Sequence, residues 1–155
     1  MVVKKTFRLT KEGVSELQQE LDSLIAERAE IAESIRTARE FGDLTENSEY
    51  QSARVAQERN ELRISEIEHI LQNVELIKTT RGSAKIQLGS RVKLRGEDGT
   101  MKDFQIVGTV EADPLNGKIS DESPIGKALL GKRKDDEVEI KTALENSIYK
   151  IIAVD

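Results

Sequence analysis

Two stretches in the first half of the chain repeat their apolar residues at alternating steps of three and four, and this periodicity constrains the fold most. The first stretch covers residues 14–38 and the second covers residues 50–74. Such a repeat is typical of the a and d positions of helices that pack against each other. Neither stretch contains a proline, because the only two prolines are Pro114 and Pro124. Two long helices are therefore predicted, the first over residues 11–40.

The link between these helices is short, so they are predicted to fold back on each other as an antiparallel coiled-coil hairpin. With about 30 residues per arm, the hairpin would be about 45 Å long. If the chain reverses near residue 43, the numbers of facing residues add up to about 86. Arg28 then lies beside Gln57 and Asn60, and this polar layer is expected to fix the register.

The pattern changes after residue 78. Residues 79–84 are rich in threonine, glycine and serine and predict a linker. Beyond them, apolar residues recur mainly at every second position, which is typical of half-buried strands. The positions that define these strands are Val92 and Leu94; Phe104, Ile106 and Val110; Val138 and Ile140; and Ile148, Lys150, Ile152 and Val154.

One short helix is predicted among the strands, with Ser123 as its N-cap, Pro124 at its first position and Gly131 after its end. Strands with a single short helix indicate a small α+β domain. Two domains are therefore predicted, a hairpin over residues 1–78 and a sheet domain over residues 85–155, joined by the linker.

The predicted end of the hairpin, residues 42–50, carries three carboxylates, an amide and a tyrosine. Asp43 and Glu46 are three residues apart at the expected opening of the second helix, which would bring their Cβ atoms within about 5–6 Å. Two such carboxylates can share one Mg²⁺ ion whose other ligands come from phosphate, water or another protein. The same Asp-x-x-Glu spacing is also a helix-capping arrangement. A location far from the sheet domain favours the metal site.

Four arginines flank this end, and they have two possible roles. Arg36 and Arg39 lie on the first arm, and Arg54 and Arg59 lie on the second. They could pair with glutamates one helical turn away, or they could contact the phosphates of a nucleic acid. The chain carries 29 acidic and 24 basic residues, a net charge of −5, so any contact with nucleic acid must be local.

The sequence disfavours a self-contained enzyme. It has no cysteine, which removes disulfides and thiol chemistry and fits a cytoplasmic protein. It contains no phosphate loop, nucleophile elbow or histidine-based metal motif. No apolar run is long enough to span a membrane, and no secretory signal precedes the first helix.

The chain resembles the Gre transcript cleavage factors, bacterial elongation factors that act on RNA polymerase, over essentially its whole length. The residues that carry the resemblance are Leu9-Thr10, Gly13, Leu17, Glu20-Leu21, Ala38-Arg39-Glu40, Gly42-Asp43-Leu44, Glu46-Asn47, Glu49-Tyr50, Ser123-Pro124-Ile125 and Leu130-Gly131-Lys132. The small number of arginines near the hairpin end is similar to the A type of this family more than to the B type.

This resemblance implies a mechanism. The second domain would have an FKBP-like fold, an antiparallel sheet with one short helix, and would dock on the rim of the polymerase secondary channel through Ser123 and Pro124. Glu122 stands where one branch of the family usually has aspartate. The hairpin would enter the channel, where the polymerase cuts the 3′ end of backtracked RNA.

The resemblance also assigns residues at the hairpin end. Asp43 and Glu46 would help to hold a Mg²⁺ ion shared with the polymerase and its attacking water, with Asn47, Glu49 and Tyr50 as supporting neighbours. Arg39 and Arg54 match positions that face nascent RNA in the family. No tightly bound cofactor is expected, and the functional form is expected to be a monomer.

Other functions remain open at this point. A homologue could bind the channel and inhibit polymerase without cleavage, although such proteins tend to have a rearranged acidic tip. A coiled-coil chaperone or adaptor would use the side of the hairpin, where Ile25, Val55 and Ile70 could also support self-association. A peptidyl-prolyl isomerase is disfavoured, because residues 81–155 contain only Phe104 and Tyr149 as aromatic residues.

Overall fold

The computed structural model describes residues 6–42, 46–78, 84–141, 143–144 and 146–155. The elements are, in chain order, β1 (Phe7–Leu9), α1 (Lys11–Arg39), α2 (Ser48–Gln72), β2 (Val74–Leu76), β3 (Arg91–Gly96), β4 (Met101–Val107), a 3-10 turn (Pro114–Asn116), β5 (Lys118–Ser120), α3 (Pro124–Leu129), β6 (Glu137–Lys141) and β7 (Asn146–Val154). The chain forms two compact units, Val14–Val74 and the pair of segments Met1–Gly13 and Glu75–Asp155.

The predicted hairpin is confirmed, and side-chain contacts between α1 and α2 define its register. The Asn60 amide donates to the Leu24 carbonyl oxygen at 3.1 Å, and the Arg63 guanidinium donates to Glu20 at 2.7 Å. In both pairs the residue numbers add up to nearly the predicted value, as they must in an antiparallel pair. The hairpin core contains Leu21, Ile64 and Ile67, with Leu17, Leu24 and Leu71 packed against them.

The predicted polar layer forms only in part. Asn60 is buried in the seam, with 5% of its surface exposed. Arg28 is instead exposed and makes a two-pronged ion pair with Glu61, at 2.7 and 2.9 Å, and Gln57 is exposed as well. A long guanidinium can reach around the seam to a carboxylate in water, which avoids the cost of burying its charge. Ile70, expected on the surface, is also buried.

Replacing Asn60 by leucine is expected to stabilise the protein. Its Oδ1 is buried and has no hydrogen-bond partner in the described part of the chain. Leucine removes this unsatisfied acceptor and adds apolar contact in the seam, but it also loses the hydrogen bond to Leu24, so we expect the free energy of unfolding to rise by about 1 kcal/mol. The check is a urea titration, with a higher midpoint at unchanged slope. Asn60→Asp serves as the control and should lower the midpoint, while a lower midpoint for Asn60→Leu would contradict the prediction.

The second unit is built on a five-stranded sheet in the order β5-β4-β3-β7-β6. The expected sheet domain with one short helix is confirmed, but the sheet is mixed, since β5 runs parallel to β4 while the other pairs are antiparallel. The 3-10 turn and its flanking residues connect β4 to β5 and let the chain return in the same direction. The fully buried centre of the core includes Leu94, Ile106, Leu129 and Ile151.

The alternation predicted for β7 is wrong in its first half, whereas Ile152 and Val154 in its second half are half-buried as predicted. The buried residue is Ile151, whereas Ile148 is 43% exposed. The register between β3 and β7 shifts between Lys93 and Leu94, which places an extra residue on β7. Such a bulge exchanges the two faces of a strand. Val110, also predicted in a strand, lies beyond the end of β4 in a turn.

The helix α3 begins as predicted. Ser123 is its N-cap and accepts a hydrogen bond from the Gly126 amide, and Pro124 occupies the first helical position. Gly131, with a φ of 80°, follows the helix end in the left-handed region that glycine favours. This local capping chemistry fixes both ends of a helix of only six residues.

The N-terminal segment belongs to the same unit as the sheet. Thr10 caps α1 by accepting from the Gly13 amide at 3.0 Å, and Glu111 accepts from the Thr10 amide at 2.9 Å and from its hydroxyl at 2.7 Å. A side chain at position 108 would overlap the carbonyl oxygen of Arg8 in β1, so the close approach of β1 requires glycine at this position. The predicted domain boundaries stay a prediction, and residues 79–83 of the predicted linker lie outside the described residues.

Candidate functional site

The hairpin end is organised by Asn47. α1 ends at Arg39, and the chain turns at Gly42, whose φ of 114° favours glycine. Asn47 is the N-cap of α2, where its Oδ1 accepts from the Tyr50 amide at 3.2 Å. Its side-chain amide also donates to the Ala38 carbonyl oxygen at 2.6 Å. One side chain therefore begins the second helix and ties it to the end of the first.

Glu46 lies just before this cap and is exposed. The prediction that Asp43 and Glu46 open the second helix is wrong for Glu46, because α2 begins at Ser48. The helical spacing argument for the two carboxylates therefore does not apply. Glu46 does not cap α2 either, because Asn47 accepts the capping hydrogen bond from the Tyr50 amide. Asp43 lies outside the described residues.

Arg36 is neutralised by its neighbours. It forms ion pairs with Glu33 and with Glu40, the latter at 3.6 Å. Its hydrogen bonds hold the pKa of the Glu33 carboxyl below the usual range. For this arginine the structure favours the intrahelical partners that the sequence left as one of two possibilities.

Arg39 and Arg54 converge on Tyr50. The guanidinium carbon of Arg39 lies 5.8 Å from the centre of the Tyr50 ring, and Arg54 donates to the tyrosine oxygen at 3.4 Å. The two guanidinium groups, first that of Arg39 and then that of Arg54, lower the pKa of the Tyr50 hydroxyl from its ordinary value. Arg59 is exposed on α2, and Glu49 is exposed in its first turn, where a carboxylate suits the positive helix end.

Phe41 is a feature of this end that the sequence analysis did not single out. Its side chain is 69% exposed, beside the turn at Gly42. The signal was present, because an aromatic residue placed in a polar reversal has no seam position to occupy. An exposed aromatic ring at the end of a hairpin can contact a base or a protein surface.

The predicted docking residues lie at the start of α3. The Ser123 hydroxyl donates to the Ser120 carbonyl oxygen at 2.6 Å and accepts from the Gly126 amide at 3.0 Å, so it serves the helix. Pro124 is exposed, and so is Glu122, whose carboxylate accepts from Thr109 at 3.0 Å. Docking through this segment stays a prediction.

Within the described ranges, no group of three or more histidine, aspartate or glutamate side chains is arranged to hold a metal ion. In the same part of the chain, no helix has the length and apolar character needed to cross a membrane.

The fold and this charged end define a class of α+β protein that displays polar side chains at the tip of a helical hairpin. Residues 7–76 match a family described as transcription elongation factor, N-terminal, and residues 81–155 match one described as transcription elongation factor, GreA/GreB, C-terminal. The chain therefore belongs to the GreA/GreB family of transcription elongation factors.

Within that family the chain is of the GreA type, as predicted. It is 42% identical to transcription elongation factor GreA of Bacillus velezensis over 99% of both chains. It is 46% identical to the GreA of Acholeplasma laidlawii over 92% of both chains. A solved structure, GreA factor homolog 1 of Thermus thermophilus, is 31% identical, covers 97% of this chain and is itself covered to 99%, and has a TM-score of 0.45.

Proposed function

We propose that this elongation factor enters the secondary channel of a bacterial RNA polymerase in the cytoplasm and stimulates the polymerase to cleave backtracked 3′ RNA. It would act as a non-enzymatic partner that completes the nuclease site of the polymerase. Membership of the GreA/GreB family supports this proposal. The length of α1 also suits it, because 29 residues extend about 44 Å, enough to carry polar groups far into a channel.

The observation that carries the proposal is the exposure of Glu46 beside a helix that another residue caps. Asn47 satisfies the start of α2, so the Glu46 carboxylate has no capping role to fulfil. An exposed carboxylate that does not cap the adjacent helix, at the end of a hairpin, is available for a partner. Asp43 is proposed to act with it.

The donor chemistry of Asp43 and Glu46 suits Mg²⁺, which prefers carboxylate oxygens and often takes only one or two from a protein. A magnesium ion bound there would supply a Lewis acid and a water molecule of lowered pKa for an in-line displacement at phosphorus. Asp43 and Glu46 would orient these ligands, and the polymerase and RNA would supply the others. The arginines at the hairpin end would contact RNA phosphates, while the sheet domain docks on the polymerase.

The test is to add the protein, with Mg²⁺, to purified elongation complexes that have been stalled and backtracked. We expect short 3′ RNA fragments to be released and the remaining transcripts to resume elongation. Unchanged transcripts together with intact polymerase binding would overturn the cleavage proposal in favour of a channel-binding inhibitor. Loss of polymerase binding altogether would favour a coiled-coil chaperone or adaptor.

A further inference from the structure

We propose that Tyr50 is a positioning residue that holds Arg39 and Arg54 as a two-cation clamp for an RNA phosphodiester. The inference rests on the proposed function and deepens it. Arg39 belongs to the last turn of α1, and Arg54 lies near the start of α2. Two guanidinium groups from different helices therefore share one phenol.

The two contacts use different parts of the tyrosine. Arg39 lies over the ring, whose negative face attracts a cation, and Arg54 donates to the oxygen. Without an acceptor between them, two positive charges that approach each other repel. Tyr50 is therefore expected to keep both cations at the same place on the hairpin.

A neutral acceptor is the important part of this arrangement. The carboxylates of Glu33 and Glu40 order Arg36 but also cancel its charge. A tyrosine hydroxyl orders a guanidinium while leaving the charge available. Within the described ranges no carboxylate forms an ion pair with Arg39 or Arg54, so both keep the charge needed to attract an anion.

The chemistry of the clamp selects a phosphate. Planar guanidinium groups donate paired hydrogen bonds that match phosphate oxygens, and two of them can bind successive or single phosphodiesters of a flexible strand. Since the whole chain carries a charge of −5, a local cationic pair is needed to hold RNA against general repulsion.

The first experiment measures RNA cleavage at saturating factor with backtracked complexes. Tyr50→Leu, which removes both contacts, is expected to lower the cleavage rate about tenfold, and Tyr50→Phe, which keeps the ring, about threefold. Because the sheet unit is proposed to dock on the polymerase, the half-saturating factor concentration should stay unchanged. Tyr149→Phe, which loses the same hydroxyl on β7, is the matched control and should cleave at the normal rate.

A double-mutant cycle separates positioning from a direct role. If Tyr50 acts through Arg54, then Tyr50→Phe should have no further effect in an Arg54→Ala background. Independent, additive losses would overturn the inference. So would normal cleavage by Tyr50→Leu in a preparation whose unsubstituted protein cleaves well.

A second measurement does not depend on cleavage. A single-stranded RNA hexamer is titrated into the full chain at low salt, and the side-chain Nε–H signals of Arg39 and Arg54 are followed by NMR. Both signals should shift together in the unsubstituted protein, and the shifts should be lost in Tyr50→Leu. Shifts that survive this substitution would overturn the positioning role. No shift in the unsubstituted protein would overturn RNA as the ligand and favour an acidic surface of the polymerase.

Discussion

Substituting Glu46 by glutamine, or Asp43 by asparagine, is expected to reduce factor-stimulated RNA cleavage by about 10–100-fold or more, the range seen when groups that support a metal site are removed. Each change keeps the size of the side chain but removes the negative charge that we propose binds Mg²⁺. Glu46 is exposed and does not cap α2, so its replacement should change the free energy of unfolding by less than about 0.5 kcal/mol.

Two further variants distinguish a metal-binding role of the Glu46 carboxylate from a structural one. Glu58→Gln removes another exposed carboxylate, farther along α2, and should leave cleavage unchanged. Asn47→Ala removes the cap and should cost about 1 kcal/mol of stability. Thermal unfolding and cleavage are measured for all variants. If Glu46→Gln lowers the melting temperature as Asn47→Ala does, its carboxylate is structural and the metal proposal fails.

Among glycine-to-alanine substitutions in the sheet unit, Gly126→Ala is expected to be the most destabilising. A Cβ atom at this position would overlap the backbone carbonyl oxygen of Ser120, which no side-chain rotation can relieve. Gly126 is buried in the first turn of α3, so the helix must move away from β5. We expect a loss of about 3 kcal/mol, at the upper end for overpacking, and a melting temperature about 10–20 °C lower.

Gly99→Ala provides the matched comparison. Gly99 has a φ of 85° and open space around its Cβ position, so alanine there meets backbone strain without a steric clash. Its cost should be about 1–2 kcal/mol. Equal melting temperatures for the two variants, measured by calorimetry, would show that α3 can shift freely and that the contact with Ser120 is not tight.

Local patterns predicted the parts of the fold that local chemistry determines. The heptad repeat placed α1 within one residue of its observed end, and Ser123, Pro124 and Gly131 placed α3. The bulge in β7 was missed because it depends on pairing with β3, far away in the chain. β1 and β5 were missed for a different reason, since strands of three residues have too few positions to show a period.

The candidate site was predicted in composition but not in arrangement. The charged residues around the chain reversal indicated that Glu46 and the arginines belong to the site. They did not indicate which arginine would be neutralised by glutamates. Arg36 has glutamates three residues before it and four after it, whereas Arg39 and Arg54 contact Tyr50 across two helices. Contacts between helices depend on rotation about their axes, which a seam pattern fixes only approximately. The proposed partner came from family resemblance, since no residue pattern alone specifies a polymerase.

The contact between Glu111 and Thr10 has a consequence for how the chain is made. During synthesis, β1 and the start of α1 leave the ribosome long before residue 111 is added. The hydrogen bonds from Thr10 to Glu111 can therefore form only late in synthesis. Gly108, which packs against Arg8, arrives equally late. The compact unit Val14–Val74 thus lies in the chain between the two segments that form the other unit. A C-terminal fragment cut at the boundary between the two family matches would lack β1, which belongs to the same compact unit. We therefore expect the separate halves to be poor substitutes for the intact factor.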